Sequence, residues 1–150
     1  MQTSQGLMTG PEQRDAASVP KEDTLDRSFA RGKRFIVVED DELVALAMSC
    51  LLQNMGGQVH LFHSAEDALR HDNLETVDYF ISDYMLGGAL NGVEFLNLVA
   101  RDLARPIQAV LITGDTSSAL LRKTSDCPWP ILHKPVNMTK LITGLRPNGA

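Results

Sequence analysis

Tyr79-Phe80-Ile81-Ser82-Asp83 is a short apolar run that stops on a carboxylate. Two other stretches share its design: Phe35-Ile36-Val37-Val38 leads into Glu39-Asp40, and Ile131-Leu132 leads through His133 into Lys134-Pro135. Short apolar runs bounded by polar residues read as buried strands. In an open parallel α/β sheet, ligands bind at the carboxyl ends of the strands. Three carboxylates and one lysine are therefore expected to meet in one crevice.

Further runs at 58–62 and 107–112 bring the expected strands to five, the last spanning 129–132. They alternate with helix-like segments, the pattern of βα units on a parallel sheet. Leu43, Leu46, Ala47, Cys50, Leu51 and Met55 fall at helical spacing and mark the first helix, stopped by Gly56-Gly57. Ser64, with Asp67 three residues on, announces a second helix ending around Arg70-His71. Val93, Leu96, Val99, Ala100 and Leu103 form the stripe of a third, closed before Pro106. A short fourth helix covers about 117–124, and a fifth starts after Asn137 and stops at Pro147. The fold class is thus α/β, a doubly wound five-stranded parallel sheet with helices on both faces. Residues 1–32, with scattered apolar side chains and several Gly and Pro, read as a tail, 33–146 as the domain and 147–150 as a C-terminal tail.

Composition narrows the function. A chain of 150 residues fits one domain, and 43% hydrophobic residues can fill its core. The net charge is -5 with no basic stripe, which argues against direct DNA binding and for protein partners. Cys50 and Cys127 match no metal spacing and are too few for a disulfide framework, which suits a cytoplasmic setting. No leader-like start and no span long enough for a bilayer is found, so a soluble protein with no membrane role is expected.

Adjacent carboxylates behind a buried strand repel each other and raise one another's pKa unless a cation intervenes. A hard dication accepts such oxygen ligands, so Mg2+, or Mn2+ in its place, is expected on Glu39, Asp40 and Asp83. Asp83 would also be the nucleophile, since a carboxylate attacking phosphorus gives an acyl phosphate. Lys134 supplies a point charge for the transferred group. Thr113 closes Ala109-Val110-Leu111-Ile112 and would expose a hydroxyl donor at the same edge, with Gly114 leaving room.

In this ordered set, Val-Val-Glu39-Asp40, Ser-Asp83-Tyr-Met, Leu-Ile-Thr113-Gly and His-Lys134-Pro135, the chain resembles the receiver domains of response regulators in two-component signalling. The wording Leu-Ile-Thr-Gly-Asp and Leu-His-Lys-Pro is most similar to receivers joined to, or working beside, hybrid sensor kinases. The resemblance covers about 33–146 and implies a flavodoxin-like (βα)5 fold. It makes Asp83 the phosphoacceptor, Glu39 and Asp40 the acidic metal pair, and the main-chain carbonyl of Met85 a third protein ligand. Thr113 and Lys134 take the family's hydroxyl and lysine roles, with a cis Lys134–Pro135 bond. The implied partners are a sensor histidine kinase or histidine phosphotransfer protein and a downstream protein that the sequence does not identify.

Three departures from the family pattern stand out. Gly87 stands where a proline is usual, followed by Gly88 and Ala89 in a lengthened loop. Ile131 occupies the place of an aromatic switch residue, and Trp129 has the wrong parity to replace it. Short fourth and fifth helices limit the usual dimerisation face, so a monomer or weak dimer is expected.

Competing readings are weaker. Asp83 alone suits a turn, and Asp41 with Glu42 suits a helix cap beside the metal pair. His60, His63 and His71 follow a strand and a helix surface, and none of these or His133 receives a function. Gly87 through Gly92 resembles the start of a nucleotide loop, yet Val93-Glu94 follow where Lys and Ser or Thr are needed. Haloacid-type phosphatases need an aspartate where Met85 stands, so true turnover of substrate is not expected. A receiver-like scaffold that never takes phosphate is the alternative.

Overall fold

The computed structural model describes residues 28–115 and 117–146. Five parallel strands, β1 (Arg34–Val38), β2 (Gln58–Phe62), β3 (Tyr79–Asp83), β4 (Gln108–Thr113) and β5 (Ile131–His133), form one sheet in the order β2-β1-β3-β4-β5. Between them run α1 (Glu42–Asn54), α2 (Ala65–Leu69), α3 (Gly92–Leu103) and α4 (Ser118–Lys123), and α5 (Met138–Leu145) follows β5. A single 3-10 turn, Leu74–Thr76, precedes β3. The doubly wound order is the flavodoxin-like one expected from the sequence.

Strand side chains alternate between the faces, and the core divides accordingly. Phe35, Val37, Ile81, Val110 and Ile112 pack with Met48 and Leu52 of α1 and Leu141 and Leu145 of α5. Ile36, Val38, Phe80, Ala109 and Leu111 pack with α2 and with Phe95, Leu96 and Val99 of α3. Burying each such large side chain stabilises the fold by about 1.5–3 kcal/mol. The strand order reverses between β1 and β3, and the crevice at their carboxyl ends is where such sheets bind ligands.

Three expectations need correction. The helical stripe assigned to α1 faces outward: Ala45, Met48, Ser49 and Leu52 are buried, while Leu43, Leu46 and Leu51 are 78%, 56% and 44% exposed. Apolar residues surround this helix, so two stripes satisfy the spacing, and the small Ala45 and Ser49 let the second lie close to the sheet. Residues 28–32, assigned to the tail, belong to the domain. Ala30 is fully buried, and Phe29 packs on Tyr79 with ring centroids 4.7 Å apart. The rest of the expected tail, 1–27, and the C-terminal 147–150 lie outside the described residues. Finally, the last strand starts at Ile131 rather than 129. Trp129 is buried and donates its indole N–H to the Ile107 carbonyl (3.2 Å), and Pro130 has no N–H to give a ladder.

Candidate phosphoryl-acceptor site

Glu39 follows β1 and is held there by its N–H, which donates to the Phe62 carbonyl at the end of β2 (3.0 Å). The His63 Nδ1–H donates to the Glu39 main-chain carbonyl (3.2 Å). Asp41 caps α1, its carboxylate accepting from the N–H groups of Leu43 and Val44 at 3.0 and 3.1 Å. Its own N–H donates to Glu39 Oε2 (3.1 Å). Capping and site-building therefore coexist in this acidic run, with Asp41 as the cap and Glu39 and Asp40 turned to the crevice.

Asp83 is the last residue of β3 and is 7% exposed. The next turn is fixed by the Tyr84 N–H on the Ile112 carbonyl (2.8 Å) and the Gly92 N–H on the Tyr84 carbonyl (2.9 Å). A side chain at Gly92 would collide with the Asp83 main-chain oxygen and the Leu111 side chain, so only glycine fits the start of α3 here. Sequence reading missed Gly92; its signal was a glycine directly after the Asn91 cap, where no turn calls for one. Met85 lies two residues past Asp83 with its side chain 63% exposed.

The expected site residues converge. Oxygens of Glu39, Asp40 and Asp83 lie within 4.8 Å of one another, the spacing of ligands around one ion. Lys134 Nζ is 3.2 Å from Asp83 Oδ2 and 3.3 Å from Glu39 Oε1. The Lys134 main chain is set by its N–H on the Thr113 carbonyl (2.9 Å), and the Lys134–Pro135 bond is cis. Thr113 differs from expectation: it is fully buried, and its Oγ1 accepts from the Asp115 N–H (3.0 Å) instead of standing exposed. Ile131 pairs with Leu111 and leans on the α3-side core, so no aromatic ring fills the switch position. Trp129 does not replace it, being tied to Ile107.

The electrostatics favour a cation. Burial lifts the Glu39 carboxyl, the Asp41 N–H opposes that, and the neighbouring Asp83 adds to the rise, bringing the pKa to about 7. Burial alone would lower Lys134, but the Asp83 and Glu39 charges outweigh it and raise its pKa. Glu39 is 2% exposed, and its Oε1, though close to the Lys134 ammonium, has no partner in hydrogen-bond geometry. One ammonium paired with two of three clustered carboxylates, with a buried oxygen left unsatisfied, is a donor set that fits a hard dication.

The fold recurs in known proteins. A profile of the response regulator receiver domain matches residues 35–146. A response regulator protein from Burkholderia pseudomallei, solved with a phosphorylated aspartic acid, a calcium ion and citrate, is 26% identical, with a TM-score of 0.66. The match covers 77% of this chain and 68% of that one. A receiver domain protein from Clostridium thermocellum is similar in fold at 20% identity and TM-score 0.66, covering 75% of this chain and 90% of that one. The chemotaxis protein CheY4 of Vibrio cholerae is similar in fold at 22% identity and TM-score 0.64, covering 74% and 93%. No curated protein matches. With the charged edge at the strand-order reversal and a profile match running from β1 to the end of α5, the chain belongs to the response regulator receiver domain family.

Proposed function

We propose that this protein is a phosphorylation switch in which Asp83 accepts a phosphoryl group from a phosphohistidine of a sensor kinase or phosphotransfer protein. The observation that carries this reading is the buried Asp83 carboxylate with Lys134 Nζ at 3.2 Å, inside a carboxylate cluster of metal-ligand spacing. An Asp83 oxygen attacks phosphorus, the P–N bond breaks, and its electron pair returns to the donor imidazole, which carries a proton on its other ring nitrogen and so leaves neutral. Lys134 is placed to offset charge on the phosphoryl oxygens. Accepting the Asp115 N–H leaves the Thr113 hydroxyl proton uncommitted, and a turn of that buried side chain toward Asp83 would let it donate to one of those oxygens. Glu39, Asp40 and Asp83, with the Met85 carbonyl by family pattern, would hold Mg2+. Bound there, the dication supplies neutralisation of the carboxylates and of the transferred charge.

The chemistry is single-site uptake and hydrolysis rather than turnover, and the output is carried by surface contacts of a cytoplasmic monomer or weak dimer. Donor recognition is supported by the outer face of α1, where Leu43, Leu46 and Leu51 stand exposed. That face borders a groove of about 430 Å³ that runs to Lys134 and Pro135, so a partner seated on it reaches the reacting edge. Intact-mass measurement after incubation with Mg2+ and a small acyl-phosphate donor tests the reading. One added phosphate on the wild type and none on Asp83→Asn supports it; no adduct on folded wild type moves the protein to a receiver-like scaffold.

A further inference from the structure

The loop between β3 and α3 carries Met85, and its middle is Gly87-Gly88, the residue type that loses most conformational freedom when ordered. Its ends are pinned by the Gly92 N–H on Tyr84 and by the Asn91–Glu94 capping box. Among the described residues, one hydrogen bond ties Met85–Leu90 to another element: the Ala89 N–H donates to Glu66 Oε2 (3.1 Å). Glu66 lies in the first turn of α2, behind the Ser64 cap. A Cβ on Gly88 would sit 2.7 Å from Glu66 Oε1, so the missing side chain is what lets the carboxylate lie over the loop. A Cβ on Gly87 would meet Asp40 Oδ2 at 3.6 Å. The two glycines thus lie between Asp40 and Glu66. The segment leading into α2 also grips the site's other side, through His63 on the Glu39 carbonyl.

We propose that Glu66 is a positioning residue, a latch from α2 that holds the Gly87–Ala89 loop, and with it the Met85 main chain, against the cation site. The inference rests on the phosphorylation reading of that site. A proline in this loop would restrict the backbone covalently; here a carboxylate from a neighbouring helix does so by hydrogen bonding. Glu66 touches no reacting atom. Its loss leaves Asp83, Glu39 and Lys134 paired as before and loosens only the loop.

The test uses the full chain and two readouts, backbone order parameters of Gly87–Ala89 in metal-free protein and Mg2+ affinity by titration calorimetry, on wild type, Glu66→Ala and Glu66→Gln. In Glu66→Ala the order parameters are expected to drop below about 0.6. Mg2+ binding should weaken by roughly threefold to tenfold, at or below the low end for groups that support metal ligands directly. Glu66→Gln keeps an acceptor oxygen and restores both values most of the way, with all three proteins melting alike. Unchanged order parameters, or unchanged Mg2+ affinity, in Glu66→Ala overturn the latch while leaving the phosphorylation reading intact. A wild type that binds no Mg2+ would instead remove the cation site, and the latch then stands or falls on the order parameters.

Discussion

The charged edge of the sheet and the outer face of α1 adjoin each other and are built on opposite terms. At the edge, Glu39 and Asp83 are 2% and 7% exposed, rooted in β1 and β3 and joined through Lys134 after β5. On α1, Leu43 is 78% exposed although leucine gains by burial. A reaction that depends on alignment belongs on the rigid sheet, whereas recognition of another protein belongs on a surface left uncovered. The two regions should therefore fail separately when mutated, one in chemistry and one in partner choice.

The largest effect is expected at the edge. Asp83→Asn should abolish phosphate uptake, and Lys134→Ala should slow uptake from a small acyl phosphate by about 10²-fold, the usual loss for one charge-stabilising donor. Mass spectrometry over time measures both. If Lys134→Ala is as fast as wild type, the ion pair is structural only.

Next comes stability across α1. Leu52→Ala should cost about 2–4 kcal/mol in denaturant unfolding, and Leu43→Ala less than about 0.5 kcal/mol. Equal costs would mean that α1 buries the face first expected from its spacing.

Glu39 gives a pH signature in metal-free protein. Its folded pKa is raised from 4.5 to about 7, so the protonated form is favoured by folding. The corresponding stability is complete below 4.5 and is lost as pH rises through about 7. Relative to Glu39→Gln, wild type should lose up to about 3 kcal/mol across that window, since a tenfold change in proton affinity is worth about 1.4 kcal/mol. Mg2+ should restore the loss at the alkaline end. A flat difference between the two proteins would contradict the burial of this carboxyl.

The smallest effect is expected on α1's outer face. Leu43→Asp combined with Leu46→Asp should slow transfer from a phosphohistidine protein by roughly tenfold, a typical result for losing an interface anchor, while uptake from the small donor stays unchanged. Equal slowing with both donors would place this face in the chemistry and erase the contrast between the regions.

Legibility from the sequence follows the same divide. The strands were plain because runs such as Phe35–Val38 and Tyr79–Asp83 are buried on both faces and end on charged residues. Convergence of Glu39, Asp40, Asp83 and Lys134 followed from their common place at strand ends. α1 misled because hydrophobic spacing reports a stripe, not which of two stripes meets the sheet. Thr113 was placed in sequence but not in state, since its bond to the Asp115 N–H depends on how the following loop turns. Glu66 could not be found at all: its contact with Ala89 spans 23 positions, and no local pattern records it.

The central claim is that phosphate goes to one carboxylate among several packed together, and borohydride trapping addresses that most directly. Reduction turns an aspartyl phosphate into homoserine, which peptide mass mapping locates in protein treated with Mg2+ and the acyl-phosphate donor. The account predicts homoserine at position 83 alone, lost when Mg2+ is chelated. Homoserine at position 40 or another aspartate, or at none while intact phosphate is present, would contradict it.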